Sequence, residues 1–356
     1  MMFQSTQVIS SPYTNDFSHM WADRYTLDAV KLLQIYTRSD LVRAASQEGR
    51  QQTVAKVKKW LTVSSELAEL KTNQLFAGQA NIVEFVEIKG LAKQIETIYT
   101  ELLDLYQNQS AELAGNLFQG ALTSYYMDRG YGQKQLRAAD LHAFEKSTVE
   151  VKSLLSLFRE QKFSCRDSRI MGFMSTHFHL VTASLKNHLS PVETALLEPY
   201  MRFLEEQACI PWERLCKAAN RYDAYNPTVG LARNMLSQSQ EISQQIYNHA
   251  LTHFPYHQSH HGYLREAHIA TSSIRDLTMF QVYIWLCILE GNSSSIEHEL
   301  LPLCRMVYSS LSVDWELVEF GINRIVANIL QCIDDNSVWT VQPGLERILF
   351  LFSQPR

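Results

Sequence analysis

Arg275 and Asp276 stand side by side in "ATSSIRDLTMFQVYIWLCILEGN" (270–292), an otherwise apolar run preceded by Ser272 and Ser273. A neighbouring guanidinium and carboxylate can work on a ligand as a pair. The arginine offers a planar fork of N–H donors that suits a carboxylate, and the aspartate accepts several hydrogen bonds at once. The same residues admit a structural account. Ser273 followed three residues later by Asp276 has the spacing of a capping box, with Asp276 in a first turn where the helix dipole favours an acidic group. In that account Arg275 is a solvated neighbour.

Other constellations carry less. His253, His257, His260, His261 and His268 cluster in "HFPYHQSHHGYLREAH" (253–268), but no Cys or H-E-x-x-H pairing accompanies them. They read as a surface loop with pH-responsive side chains, and no metal ligand is assigned. "SRIMGFMSTHFHLV" (168–181) lacks a C-x-x-C-H and reads as core helix rather than haem site, and "VKKW" (57–60) with Lys56 reads as a solvated face. G-x-S-x-G, P-loop, G-x-G-x-x-G and H-E-x-x-H motifs are absent, so there is no positive reason to name an enzyme. The cysteines at 165, 209, 216, 287, 304 and 332 are scattered without a CxxC, as expected of reduced thiols.

The elements that must position Arg275 and Asp276 are helices. At 356 residues, two domains are expected, and 46% hydrophobic against 19% charged residues is an ordinary globular balance. The net charge of −5 supplies no basic footprint for nucleic acid. The N-terminus lacks the pattern of a secretory signal, and no apolar run reaches the roughly 18–20 residues of a membrane span. With only 13 Gly and 9 Pro and a prevailing helical period, the chain reads as all-α. Ile88, Leu91, Ile95, Ile98 and Leu102 form one apolar stripe. Val54, Val57, Leu61, Leu67 and Leu70 form a second, and Phe144, Val151, Leu155 and Phe158 a third. Residues 1–20 are expected to be a flexible arm and 21–165 a helical bundle, with the junction in the polar stretch "EQKFSCRDS" (160–168). Beyond it, helices are predicted at 169–187, 194–208, 211–224, 228–251, 265–290, 296–309 and 314–333, the last capped by Ser312 or Asp314.

The order of residues in the second half resembles the phycobiliprotein family. "IYNHALTHFPY" (246–256) resembles the end of the helix before the chromophore loop, and "GYLREAHIATSSIRD" (262–276) the loop and the start of the chromophore helix. "YIWLCILEGN" (283–292) resembles that helix's end, and "LSVDWELVEFGINRIV" (311–326) the Ser-x-x-Trp helix start of α-type subunits. The resemblance implies a globin-like, phycobiliprotein-type helical domain over 166–356, preceded by the N-terminal bundle. It further implies that Arg275 holds a tetrapyrrole propionate and that Asp276 accepts from the pyrrole N–H groups, with Trp315, Tyr256 and Tyr263 near the pocket; each of these aromatics also reads as a packing residue, and for Trp315 a core anchor is the favoured reading.

One departure matters. Ser273 stands where the family has its chromophore-binding Cys. An unactivated serine hydroxyl lacks the nucleophilicity of a thiolate, so no covalent bilin is expected. Cys287 lies fourteen residues along the same helix, about 21 Å away, and cannot substitute. The first expectation is a non-catalytic interaction module, an adaptor or regulator that docks on phycobilisome or photosynthetic-apparatus proteins. The second is a noncovalent bilin carrier, chromophorylation helper or light sensor, and the third a bilin-processing enzyme such as a lyase. Each places the protein in the cytoplasm, at the cytoplasmic face of thylakoids. A homo-oligomer is compatible with all three.

Overall fold

The computed structural model describes residues 17, 20–21, 24–25, 27, 29–77, 85–108, 170–223, 225–333 and 338–354. The third predicted stripe (144–158), the 160–168 junction and most of residues 1–20 lie outside them. Among the described residues the architecture is helical apart from one two-stranded hairpin. No helix among them is long and apolar enough to cross a membrane.

Among the described residues, α1 (Ala29–Ile35), α2 (Arg38–Ala45), α3 (Gln47–Phe76) and α4 (Phe85–Asn108) precede the 109–169 segment. Val54, Val57 and Leu61 of α3 are buried as the stripe predicts, but Leu67 and Leu70 face solvent. The buried face continues through Ser64, Ser65, Ala68 and Thr72 instead. Small side chains there let another helix come close, and the hydroxyls find partners across the contact: Ser64 Oγ lies 2.9 Å from Ser184 Oγ. On α4, Ile95, Ile98 and Leu102 are buried.

After the segment come α5 (Ile170–Lys186), α6 (Pro191–Cys209), α7 (Trp212–Ala219), α8 (Pro227–Ser237) and α9 (Ser239–His253). A capping box starts α6, Ser190 Oγ accepting from the Glu193 N–H and the Glu193 carboxylate accepting from the Ser190 N–H. The helix predicted over 228–251 is two helices. Gln238, at φ −102° and ψ 6°, leaves the helical region and separates α8 from α9.

The hairpin Gln258–Ser259/Gly262–Tyr263 leads into α10 (Ala267–Glu290), followed by a π turn at Ile296–Leu300, α11 (Leu301–Leu311), α12 (Trp315–Cys332) and α13 (Val338–Phe352). Every residue of α10 from Leu277 to Leu289 is buried, as a helix apolar on all sides must be. It packs against α7, α9, α12 and α13 and ends on Gly291 in the left-handed region. The Gly172 position brings α5 against α11, since a Cβ there would collide with Met306 and Val307. One contiguous apolar core includes side chains from α3, α4 and α5 together with those of α6 to α13.

Candidate functional site

Where α5, α6, α9, α10, α11 and α12 converge, they enclose a cavity of about 170 Å³. Ser273, Arg275 and Asp276 all line it. Apolar walls come from Ile246 of α9, Phe280 of α10, Leu303 and Val307 of α11, and Phe320 of α12. Gly321 lets α12 approach α10, its hypothetical Cβ lying 3.0 Å from Leu277 Cδ2.

The capping-box account of Ser273 and Asp276 does not hold. Helix α10 begins at Ala267, so both residues sit inside it with the backbone already paired, and Glu266 is the N-cap residue. Nor is Arg275 a solvated neighbour. Its Nε and Nη2 donate to Asp276 Oδ1 at 3.3 and 3.0 Å, and its Nη1 donates to Glu205 Oε2 on α6 at 3.3 Å. Asp276 Oδ2 accepts from the Tyr308 hydroxyl of α11 at 3.0 Å. His179 of α5 approaches Glu205 Oε2 with its Nδ1 at 3.5 Å. Two helices besides α10, α6 and α11, therefore hold the pair directly, and α5 reaches it through Glu205.

These contacts set the local electrostatics. Burial alone would push the Glu205 carboxyl up, but His179, Arg275 and Lys186 outweigh it and hold the group down at about 2. Burial opposes the charge on Arg275, yet Asp276 and Glu205 more than offset it and raise its pKa. Tyr308 is raised well above the ordinary phenol value by burial and by Asp276. The one thiol lining the cavity, Cys209 of α6, is pushed up to about 12 by burial. Its thiolate fraction near neutrality is then roughly one in 10⁵, so it is no nucleophile.

The histidines of the loop before α10 act as pins. His257 Nδ1 lies 3.0 Å from Asp314 Oδ2, so Asp314 engages the loop and makes no side-chain cap on α12. Ser312, the other expected cap, adopts φ 58° and closes α11. His260 donates its N–H to Leu311 O at 2.8 Å, and its ring bridges Ser310 O and the Ser312 hydroxyl. Both ring contacts are satisfied by the neutral tautomer with the proton on Nδ1. His268 Nε2 donates to His261 O at 3.0 Å. Among the described residues no cluster of His, Cys, Asp or Glu could hold a metal ion.

Tyr256, Tyr263 and Trp315 stand apart from the cavity lining. Tyr256 is 90% exposed, and Tyr263 faces solvent with Arg265 over its ring. Trp315 donates from Nε1 to Phe352 O at 2.9 Å and stacks on the Phe352 ring, which anchors α12 to the end of α13. In exchange the structure supplies Glu205, Cys209, Tyr308 and His179, which sequence reasoning missed. They lie between 32 and 97 residues from Asp276 along the chain, and no local motif marks them.

The residues lining the cavity fit a tetrapyrrole. Asp276 presents a carboxylate at the cavity, the surrounding walls are apolar, and the only polar group at the attachment position is the Ser273 hydroxyl. When bound, such a group supplies a conjugated system that absorbs visible light. Among curated proteins, and among solved structures, no significant match to the chain is found. Residues 205–349, from within α6 to within α13, match the family model described as Phycobilisome protein. Residues 205–349, all-α among the described residues apart from one short hairpin, are thus similar to phycobilisome proteins, and the match spans the helix that carries Arg275 and Asp276.

Proposed function

We propose that this phycobilisome-related chain is an accessory protein whose C-terminal domain holds a linear tetrapyrrole noncovalently. The observation that carries this reading is that Ser273, Arg275 and Asp276 all face one apolar-walled cavity, with a hydroxyl at the attachment position. Asp276 is the acceptor for ring N–H groups, and Arg275 positions it through the 3.0 Å contact. A carrier or chromophorylation helper releases its ligand, which a thioether would prevent. The partners would be phycobilisome proteins, met at the cytoplasmic face of thylakoids.

The isosteric variant Asp276→Asn tests the site. It removes the charge from the acceptor and should weaken binding of phycocyanobilin by roughly tenfold or more, with an altered visible spectrum. Unchanged affinity and spectrum in a folded variant would remove Asp276 from the site.

A second reading has its own observation. Arg275 already faces two protein carboxylates, so the polar end of the cavity is internally satisfied without a ligand. That suits a chromophore-free module that binds phycobilisome subunits through its helical faces. Partner capture by wild-type protein and by Asp276→Asn alike, with no bilin bound by either, is the outcome that would favour it.

A further inference from the structure

Helix α5 carries two histidines in unlike surroundings. His179 lines the cavity, with Glu205 Oε2 of α6 3.5 Å from its Nδ1. His177 is fully buried where α5 packs on α3. Its Nε2 stands 3.4 Å from the Ser65 hydroxyl of α3, and its ring stacks beside Phe173 with centroids 6.1 Å apart. Its Nδ1 has no hydrogen-bond partner among the described residues. The neutral ring suits this place, since a proton on Nε2 is donated to Ser65 and Nδ1 is left as a bare lone pair. A second proton goes on Nδ1, where nothing accepts it, and leaves a cation in a desolvated helix contact.

We infer that His177 is a proton-sensitive latch between α3 and α5, whose protonation parts the two helices and loosens the α5 wall of the cavity. Ser175, Thr176, His179 and Leu180 form that wall. The latch itself needs no ligand. Its consequence for a bound tetrapyrrole rests on the proposed reading of the cavity.

No neighbouring charge offsets the cost of the proton. Burial alone lowers the His177 imidazole, from 6.5 to about 4, so neither Glu69 of α3 nor Cys304 or Arg305 of α11 acts on it. Other titratable groups of the helices packed on α5 are engaged elsewhere. Arg50 of α3 lies over the Tyr106 ring of α4, and Lys56 of α3 holds Glu193 of α6. Tyr99 of α4 bonds Phe178 O and Thr182, Glu206 of α6 holds Arg24, and Tyr308 of α11 donates to Asp276. Glu66 and Lys71 of α3 are exposed. Two further imidazoles oppose the parting when protonated. His188, just past α5, stacks on Trp60 of α3 at 4.0 Å, where a cation is attracted to the indole face, and His179 meets the Glu205 carboxylate. For a base whose folded value is the lower, the parted state takes up the proton first. The contact is therefore at full strength above about pH 6.5 and weakens as the pH falls toward about 4.

The test is hydrogen exchange of the full chain, read by mass spectrometry at about pH 8 and about pH 5, with each peptide's protection taken relative to its intrinsic exchange rate at that pH. Wild-type α3 and α5 should lose protection roughly thirtyfold at the lower pH, and α12 and α13 much less. His177→Phe keeps a ring beside Phe173, and His177→Gln keeps a partner for Ser65. Whichever variant folds should show little pH dependence in α3 and α5. Unchanged wild-type protection, an equal loss in wild type and variant, or an equal loss in every helix would overturn the latch. Phycocyanobilin added to the same samples separates the two claims. Loss of protection as predicted, with no bilin bound at either pH, would uphold the latch and defeat the reading of the cavity. Bilin that binds and leaves at the same rate at both pH values, while α3 and α5 lose protection, would overturn the link between latch and cavity.

Discussion

The Arg275 guanidinium on α10 reaches Glu205 Oε2 on α6 at 3.3 Å, joining the helix that carries the Arg-Asp pair to the helix where the family match begins. Glu205 titrates at about 2 in the folded chain against an ordinary value of 4.5. Because the folded value is the lower, its contribution to stability is fully present above about pH 4.5 and is lost as the pH falls toward about 2. A shift of that size corresponds to on the order of 3 kcal/mol. Glu205→Gln should therefore lower stability to urea at pH 7 and flatten the acid limb of the stability profile. Matching acid limbs in variant and wild type would show that the pair contributes nothing.

Ser273 borders the cavity, and a thiol at this position would meet a bound ligand. Ser273→Cys, incubated with phycocyanobilin and run on a denaturing gel, should give a zinc-fluorescent protein band, because a thiol adds across a ligand double bond where a hydroxyl does not. Absence of a band from a variant that still binds the bilin would place the ligand away from Ser273.

Cys209 also borders the cavity, but its burial and its value of about 12 should keep it inert. Cys332 is exposed at the end of α12. Native protein treated with a chromogenic disulfide reagent should lose one fast-reacting thiol in Cys332→Ser and none in Cys209→Ser. A fast thiol lost in the second variant would mean that the cavity admits the reagent and activates Cys209.

Trp315 serves the fold rather than the cavity. Trp315→Phe keeps an aromatic ring against Phe352 and deletes the 2.9 Å hydrogen bond to its carbonyl, at a cost of about 1 kcal/mol in denaturant unfolding. Bilin affinity should be unchanged. A loss of affinity without a loss of stability would return Trp315 to the binding site.

Helix existence was legible in the sequence because apolar period and chain punctuation are local. The run from Leu277 to Leu289, apolar on every side, announces a central helix whatever it packs against. Boundaries were less legible. Ser273 and Asp276 have capping-box spacing, yet helix α10 starts at Ala267, and a Ser-x-x-Asp inside a helix has the same letters as one at its start. On α3, Leu67 and Leu70 suggest a core face, but the helix turns Ser64, Ser65 and Ala68 inward, where small side chains admit the neighbouring helix. The Arg-Asp pair was visible as a dipeptide. Its partners Glu205, Tyr308 and His179 were not, because they come from α6, α11 and α5 and are brought together only by tertiary packing.

The central claim is a tetrapyrrole site without a covalent bond, and a visible-absorption titration of the full chain with phycocyanobilin, followed by denaturing electrophoresis with zinc-induced fluorescence, tests it most directly. The account predicts a saturable spectral shift and no fluorescent protein band. No shift in folded protein, or a fluorescent band from the wild-type chain, would contradict it.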